Sequence, residues 1–357
     1  MLLLAIFNVK ATESSDSTRS IYQLTLSELF EIQVVNAVSG FEEKASDAPA
    51  TVTVINKEQW QSMGANSLSD VLQMVAGVHV SQPKFYSYYA TSFSFRGLSG
   101  LASSKIKLLI DGMAFENLQV SGLAWGFHMP LTGFTRIEVI KSPGSAIYGA
   151  DAYAGIINLV SEPYEKLDNK DELTGTGDVG VRVGSFDDLD IFFKTHGHYG
   201  EHQWMIGIDY TDSNGDADKV VEQDLQTIFD SIFDTQVSFA PGHINQSREV
   251  FKLLAKWQYN NFSVNYINWK NLNAGIGTGG GQSIINKGRM SAVNQRVSLN
   301  YRVDDWLGGQ FDWQYSHMQQ GTSAITDIFP DGARLPIGSD GNVSLISQRN
   351  ITIATNR

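Results

Sequence analysis

Cysteine is absent from all 357 residues. Its absence removes disulfides, thiolate metal sites and cysteine nucleophiles together, and it is compatible with an oxidising compartment. Also missing is any uninterrupted run of about 18 apolar residues, so no segment reads as a transmembrane helix. Membrane-crossing strands, which alternate apolar and polar residues, stay open. Positive charge is scarce: 26 Lys and Arg against 38 Asp and Glu give a formal net charge of −12. A nucleic-acid partner, which needs a basic face to displace phosphate counterions, is therefore not expected. No nucleophile constellation, Walker-type loop or zinc-ligand spacing occurs. Gly279, Gly280 and Gly281 lack a following Lys and Ser or Thr, so they read as flexibility rather than a phosphate cradle. An enzyme is not expected, and neither is a cofactor.

What is plentiful is glycine and aromatics: 33 Gly, 19 Phe, 13 Tyr and 7 Trp against only 8 Pro, the make-up of an aromatic-rich β protein. The second half of the chain alternates. Val179, Val181 and Val183 share one face of a strand while Asp178, Gly180 and Arg182 share the other; Val297, Leu299, Tyr301 and Val303 oppose Arg296, Ser298, Asn300 and Arg302. Six further runs do the same, around Leu189 to Phe193, Trp204 to Tyr210, Phe251 to Tyr259, Phe262 to Tyr266, Phe311 to Tyr315, and 350–355. About eight strands are expected, each between lipid and a wet lumen. Connections near 199–201, 260–261 and 304–308 are short, and those over 212–247, 273–292 and 321–347 are long. A soluble sandwich has no reason to segregate loop length by end; an outer-membrane barrel does.

The stretch 134–161 carries the most specific signal. Two apolar strands, Ile137 to Ile140 and Ile156 to Val160, flank a turn in which Pro143 fixes its own φ and Gly144, Gly149 and Gly155 permit shapes other residues resist. Its residues Arg136, Ile137, Glu138, Val139, Pro143, Gly144, Ser145, Tyr148, Gly149, Gly155, Ile157 and Asn158 closely resemble the end of the plug domain of TonB-dependent outer-membrane receptors, with Ser142 where the family usually has Gly. Upstream, S-F-R-G at 94–97, L-L-I-D-G at 108–112, D-A-P-A-T-V-T-V-I at 47–55 and the element over 67–80, with Ala76 in place of its Pro, are similar to that family's other plug motifs in the same order. Within that element Ser67 and Asp70 read as a capping box, Leu68, Val71, Leu72 and Val75 as one helical face, and Gly77 as the residue after a helix of about nine residues.

The resemblance implies an α+β plug followed by antiparallel transmembrane β-barrel strands, in the bacterial outer membrane. The expected division is 1–30 as linker preceded by either a truncated signal or a greasy start, 31–46 as a TonB-box-like segment and linker, 47–165 as the plug, and 166–357 as part of a barrel. Eight strands are too few to enclose a plug of this size in a family resembling the plugged 22-stranded class, so a longer chain is expected.

By the same resemblance, Glu31, Ile32, Gln33, Val34, Val35, Asn36 and Ala37 are the extended segment offered to a TonB-type energy-coupling protein. Phe85, Tyr86, Tyr88 and Tyr89, with Trp125 and Phe127, crowd two long loops and are expected at the plug apex, facing a metal chelate or another small molecule. Arg96, Arg136 and Glu138 are expected at plug–barrel contacts. No metal site is expected. His196, His198 and His202 read as lumen-facing polar residues near a turn, and Asp212, Asn214, Asp216 and Asp218 fall short of a calcium loop because Ala217 and Gln223 stand where it needs Gly and Glu. Partners are then the coupling protein, outer-membrane lipid and the small-molecule ligand.

Overall fold

The computed structural model describes residues 34–35, 43–44, 50–81, 92–98, 105–115, 128–162, 173–278, 282–285, 288–306, 309–327, 329–333 and 344–356. It begins with a two-residue pair, β1 (Val34–Val35) against β2 (Glu43–Lys44). The plug is then built on a five-stranded sheet of β3 (Val52–Asn56), β6 (Ile106–Ile110), β7 (Met113–Ala114), β8 (Phe134–Ile140) and β9 (Gly155–Ser161), in the order β3-β8-β9-β6-β7. Only β6 and β9 run parallel. Their near-continuous Ile, Leu and Val content suits strands covered on both faces, and all five residues of β6 are buried.

Two short helices follow from local capping. α1 (Lys57–Ser62) starts where the Asn56 N–H donates to Gln59 Oε1 at 2.8 Å, and it buries Trp60. α2 (Leu68–Gln73) starts at the expected capping box: Asp70 Oδ2 accepts from the Ser67 N–H at 2.9 Å. α2 is shorter than the nine residues expected, because the N–H groups of Met74 and Val75 turn to carbonyls three residues back, at Val71 and Leu72. Gly77, at φ +79°, then serves the turn into β4 (Val78–Ser81) rather than the helix end itself. β4 pairs with β5 (Ser92–Phe95), which stops at Phe95 because Arg96 and Gly97 both adopt positive φ. Between β8 and β9 lie α3 (Ser145–Tyr148) and one 3-10 turn. Gly155 must be glycine there: a Cβ would stand 2.2 Å from the Ile140 carbonyl oxygen and 2.6 Å from the Phe95 ring.

The rest is a wall. β10 (Thr174–Gly184), β11 (Asp188–Tyr199), β12 (His202–Ser213), β15 (Arg248–Tyr259), β16 (Phe262–Gly275), β17 (Arg289–Trp306), β18 (Gly309–Asp327) and β19 (Ser344–Asn356) form one antiparallel sheet of eight strands in that order, with β10 and β19 at its edges. Its polarity is inverted relative to a soluble sheet. Val179 and Val183 are 76% and 82% exposed on the outer face, while Lys252, Arg296 and Ser298 are 0%, 3% and 0% exposed on the inner one. Only a hydrocarbon exterior rewards that arrangement. Near the short turns the outer face carries aromatics, with His202, Trp257 and Tyr259 stacked at 4.7 to 6.4 Å between ring centroids, as in the interfacial girdles of membrane barrels. No helix among the described residues is long and apolar enough to cross a membrane.

At the other end, the connection between β12 and β15 holds β13 (Val220–Val221), α4 (Leu225–Phe233) and β14 (Gly242–His243). Asp224 caps α4 through the Thr227 N–H at 2.8 Å and also accepts from the Ile284 N–H at 2.8 Å, so it ties this loop to the one between β16 and β17.

Candidate functional site: the seat of the plug in the wall

The wall meets the plug through cations that alternation places on the inner face. Lys252 on β15 donates to the carbonyl oxygens of Pro130 at 2.6 Å and Thr132 at 2.8 Å, and its ammonium lies 2.9 Å from Asp209 on β12. It also stands 4.9 Å from the centroid of the Phe134 ring. Four residues on along the strand, Lys256 donates to Ser161 Oγ at 2.7 Å and to the Glu162 carbonyl at 2.8 Å. Lys194 on β11 pairs with the Glu162 carboxylate. Arg296 on β17 makes the widest contact. Its guanidinium donates to the carbonyls of Met113, Ala114 and Ile110 at 2.9, 3.0 and 3.0 Å and lies 5.6 Å from the Phe115 ring centroid. Trp269 on β16 donates its indole N–H to the His128 carbonyl at 2.9 Å. Buried cations are tolerated only with such partners.

Two glycines let the backbones approach. A Cβ on Gly207 would sit 3.3 Å from the Thr132 carbonyl and 3.5 Å from the Gly133 Cα; one on Gly133, at φ +86°, would sit 3.1 Å from Leu254. The grip then continues into the plug. Ser161 donates from its hydroxyl to Asp111 at 2.7 Å and from its N–H at 2.8 Å, and the Gly112 N–H donates to Asn158 Oδ1 at 3.0 Å. Asn158 Nδ2 in turn donates to Glu138 at 3.0 Å. The Asp-Gly of the L-L-I-D-G motif is thus fixed to the end of β9, the strand that Lys256 holds.

A family model for the TonB-dependent receptor plug domain matches residues 44–156. Residues 44–156 belong to the TonB-dependent outer-membrane receptor family. That family consists of receptors and transporters of the bacterial outer membrane, not enzymes. Among the relatives of this chain is the vitamin B12 transporter BtuB of Vibrio vulnificus strain CMCP6, 33% identical over 153 residues, which are 43% of this chain and 24% of that protein. BtuB of Vibrio cholerae serotype O1 is 24% identical over 176 residues, 47% of this chain and 28% of that protein. The chain spans about a quarter of the length of these curated relatives. Several solved structures share its fold. The pyoverdine outer-membrane receptor FpvA of Pseudomonas aeruginosa PAO1 has a TM-score of 0.56 at 15% identity, covering 84% of this chain and 41% of that one. The ferric-catecholate import receptor Fiu of E. coli K12 has 0.54 at 16%, covering 87% and 45%.

The expected site residues of the receptor divide sharply. Glu31, Ile32, Gln33, Asn36 and Ala37 lie outside the described residues, as do Phe85, Tyr86, Tyr88, Tyr89, Trp125 and Phe127; of the coupling segment only the extended backbone of Val34 and Val35 is described. Arg136, Glu138 and Arg96 are described, and the bonds seen for them lie within the plug. Arg136 Nε donates to Glu138 at 2.9 Å, and Arg96 donates to Thr51 Oγ1 at 3.0 Å. Among the described residues, the cations seen to cross to the plug are the wall residues Lys194, Lys252, Lys256 and Arg296. Their sequence signal is a basic residue in the inner half of an alternating strand. One further expectation needs correction: His202 is not lumen-facing. It pairs with the exposed Tyr199 across the turn and stacks on Tyr259 on the outer face, whereas His198 is buried. Asp212, Asn214, Asp216 and Asp218 form no metal-binding cluster among the described residues; Asn214 is occupied by Asp187 at 2.8 Å.

Proposed function

We propose that the protein is an energised importer that binds a scarce solute outside and releases it inward on demand by a TonB-type coupling protein. The solute class is a bulky chelate, an iron-siderophore, haem or cobalamin. The observation that carries this reading is the seat itself: the plug is bonded to the wall through buried, charge-assisted bonds, and dislodging such bonds at each cycle needs work from outside the plug. The plug similarity to vitamin B12 transporters supports the cobalamin arm, and the shared fold with siderophore receptors supports the class as a whole.

The coupling segment around Val34 and Val35 is the handle. An extended strand with free N–H and C=O groups adds to an exposed sheet edge by main-chain bonds, and this needs little sequence specificity. Val34→Pro removes one donor and restricts the residue before it. In the full-length receptor in energised cells, supplied in parallel with radiolabelled cobalamin and a radiolabelled ferric catecholate, this variant should bind like the parent but cease uptake. Val34→Ala should transport. Parental uptake by the proline variant would favour the rival reading, a passive plugged barrel or surface receptor without energy coupling.

A further inference from the structure

Parity along the wall gives each strand one face toward the plug and one toward lipid. On β16, Ile267 and Trp269 are buried on the plug side, so Asn268 between them points outward; on β17, Arg296 is turned in and Gln295 out. Cross-strand register sets Asn268 beside Gln295, and Gln295 beside Gln319 on β18. The result is one polar row across three strands of a face that elsewhere shows Ile206, Ile208, Leu253, Val297 and Leu299. The row is wired together. Asn268 Nδ2 donates to the Tyr266 hydroxyl at 3.1 Å, that hydroxyl donates to Gln295 Oε1 at 3.2 Å, and Gln295 Nε2 donates to Gln319 Oε1 at 3.1 Å. Gln319 is exposed, and its own NH2 group takes no part in that last bond. At the other end, Asn268 Oδ1 is buried without a hydrogen-bond partner among the described residues.

Depth decides what this row meets. Tyr259, Phe262, Tyr301 and Trp313 stand in one aromatic row near the short turns. Gln295 lies six residues along β17 from Tyr301, about 20 Å of strand or about 15 Å of depth at a tilt of about 40°, inside an apolar band about 25 Å tall. Lys270, one row further out, has a stem long enough to reach the headgroups. The amides are shorter, and lipid tails satisfy no donor or acceptor. We propose that the outward face of β16, β17 and β18 is the contact surface for a second copy of this receptor within the membrane. Copies inserted in one orientation are related by an axis along the membrane normal, so each residue meets its partner's residues at the same depth. An amide row then meets an amide row, and primary amides, which carry donors and an acceptor on one group, complement themselves. Val293 and Val297, on either side of Gln295 along β17, flank the polar contact with apolar surface. The inference needs only a lipid-facing wall, and it stands apart from the import reading.

Single thiols test the contact in the full-length receptor, in native outer membranes treated with a lipid-soluble oxidant, molecular iodine. Gln319→Cys samples the row; Val179→Cys and Ile191→Cys, exposed on the outer face of β10 and β11, are the matched controls. The parent, with no cysteine in this stretch, is the blank. The expected result is a disulfide-linked species of twice the receptor's mass at 319, several-fold more abundant than at 179 and 191. His317→Cys, which faces outward beside Val297, should dimerise likewise and lose most of that yield when Gln295→Leu and Gln319→Leu are added. The comparison among single thiols stands even where the leucine pair lowers insertion. Equal dimer at 319, 179 and 191 reports random collision, an adduct of 319 with a different protein names another partner, and no adduct leaves the row to lipid; each overturns the proposal. So does a 317 dimer that survives the leucine pair at parental surface abundance.

Discussion

Replacing Arg296 with Met should loosen the β6–β7 hairpin from the wall without unfolding the strands that carry it. The guanidinium supplies three bonds to main-chain carbonyls in a site 3% exposed. Hydrogen bonds to charged groups are worth about 1.5–3 kcal/mol each, but three made by one fork are not additive. Removing one partner from a buried charged contact costs about 3–5 kcal/mol. Among the described residues Arg296 Nε is buried without a hydrogen-bond partner, a defect that methionine would remove, so the lower end, about 3 kcal/mol, applies. That is roughly a 100-fold rise in the population of the undocked hairpin. Hydrogen exchange on the full-length receptor reads it directly, at the amides of Phe115, bonded to the Leu108 carbonyl at 2.8 Å, and Asp111, bonded to Leu159 at 2.9 Å. Arg302 on the same strand is the control. Its pair with Asp312 at 2.7 Å is exposed, 62% and 44%, and such pairs contribute about 0.2–1 kcal/mol. Arg296→Lys should fall between, keeping charge but losing the fork. Equal exchange at Phe115 and Asp111 in the Arg296→Met and Arg302→Met variants would refute the claim that this guanidinium seats the plug.

Two further outcomes follow from the close approach and from the outer loops. Gly207→Val should cost about 1–3 kcal/mol by overpacking, because even a Cβ there meets the Thr132 carbonyl at 3.3 Å; faster exchange at the Phe134 amide than in Gly207→Ala would confirm it, and equal protection in the two would exclude it. In α4, burial pushes the Asp230 pKa up, but hydrogen bonds from Thr235, Gln226 and the N–H groups of Ser238 and Val237 outweigh it and hold the carboxyl below its ordinary range. A depressed carboxylate stabilises the fold above its unfolded pKa, about 3.9, and that contribution is lost as pH falls through the folded value. Protection of α4 amides should therefore hold from neutral pH down to the ordinary carboxylate range and fall below it, and Asp230→Asn should lower protection at neutral pH and flatten the acid step; an unchanged acid step in the variant would assign it to another group.

The strands were legible because alternation is a property of single residues: Val179, Val181 and Val183 declare a lipid face before any partner is known. The plug was legible through its turns, where Gly155 and the Asp111–Gly112 pair answer to backbone shape and close approach. The seat was not, because Lys252 and Arg296 contact carbonyl oxygens, and every residue presents the same one. Arg136 and Glu138 stand two apart on a strand and so share a face, where they pair at 2.9 Å. Cross-strand pairing places His202 on the face of Tyr199, opposite to that of His198. α1 escaped notice because six residues give too little periodicity to distinguish a helix from a loop.

The choice of main-chain oxygens as anchors has an evolutionary side. Arg296 holds Ile110, Met113 and Ala114, and Lys252 holds Pro130 and Thr132, without touching any of their side chains through a hydrogen bond. Substitution at these plug positions can therefore drift as long as the local path of the chain is kept, while the lysines and arginine of the barrel cannot. A docking scheme of this kind is indifferent to the side chains of the segments it holds.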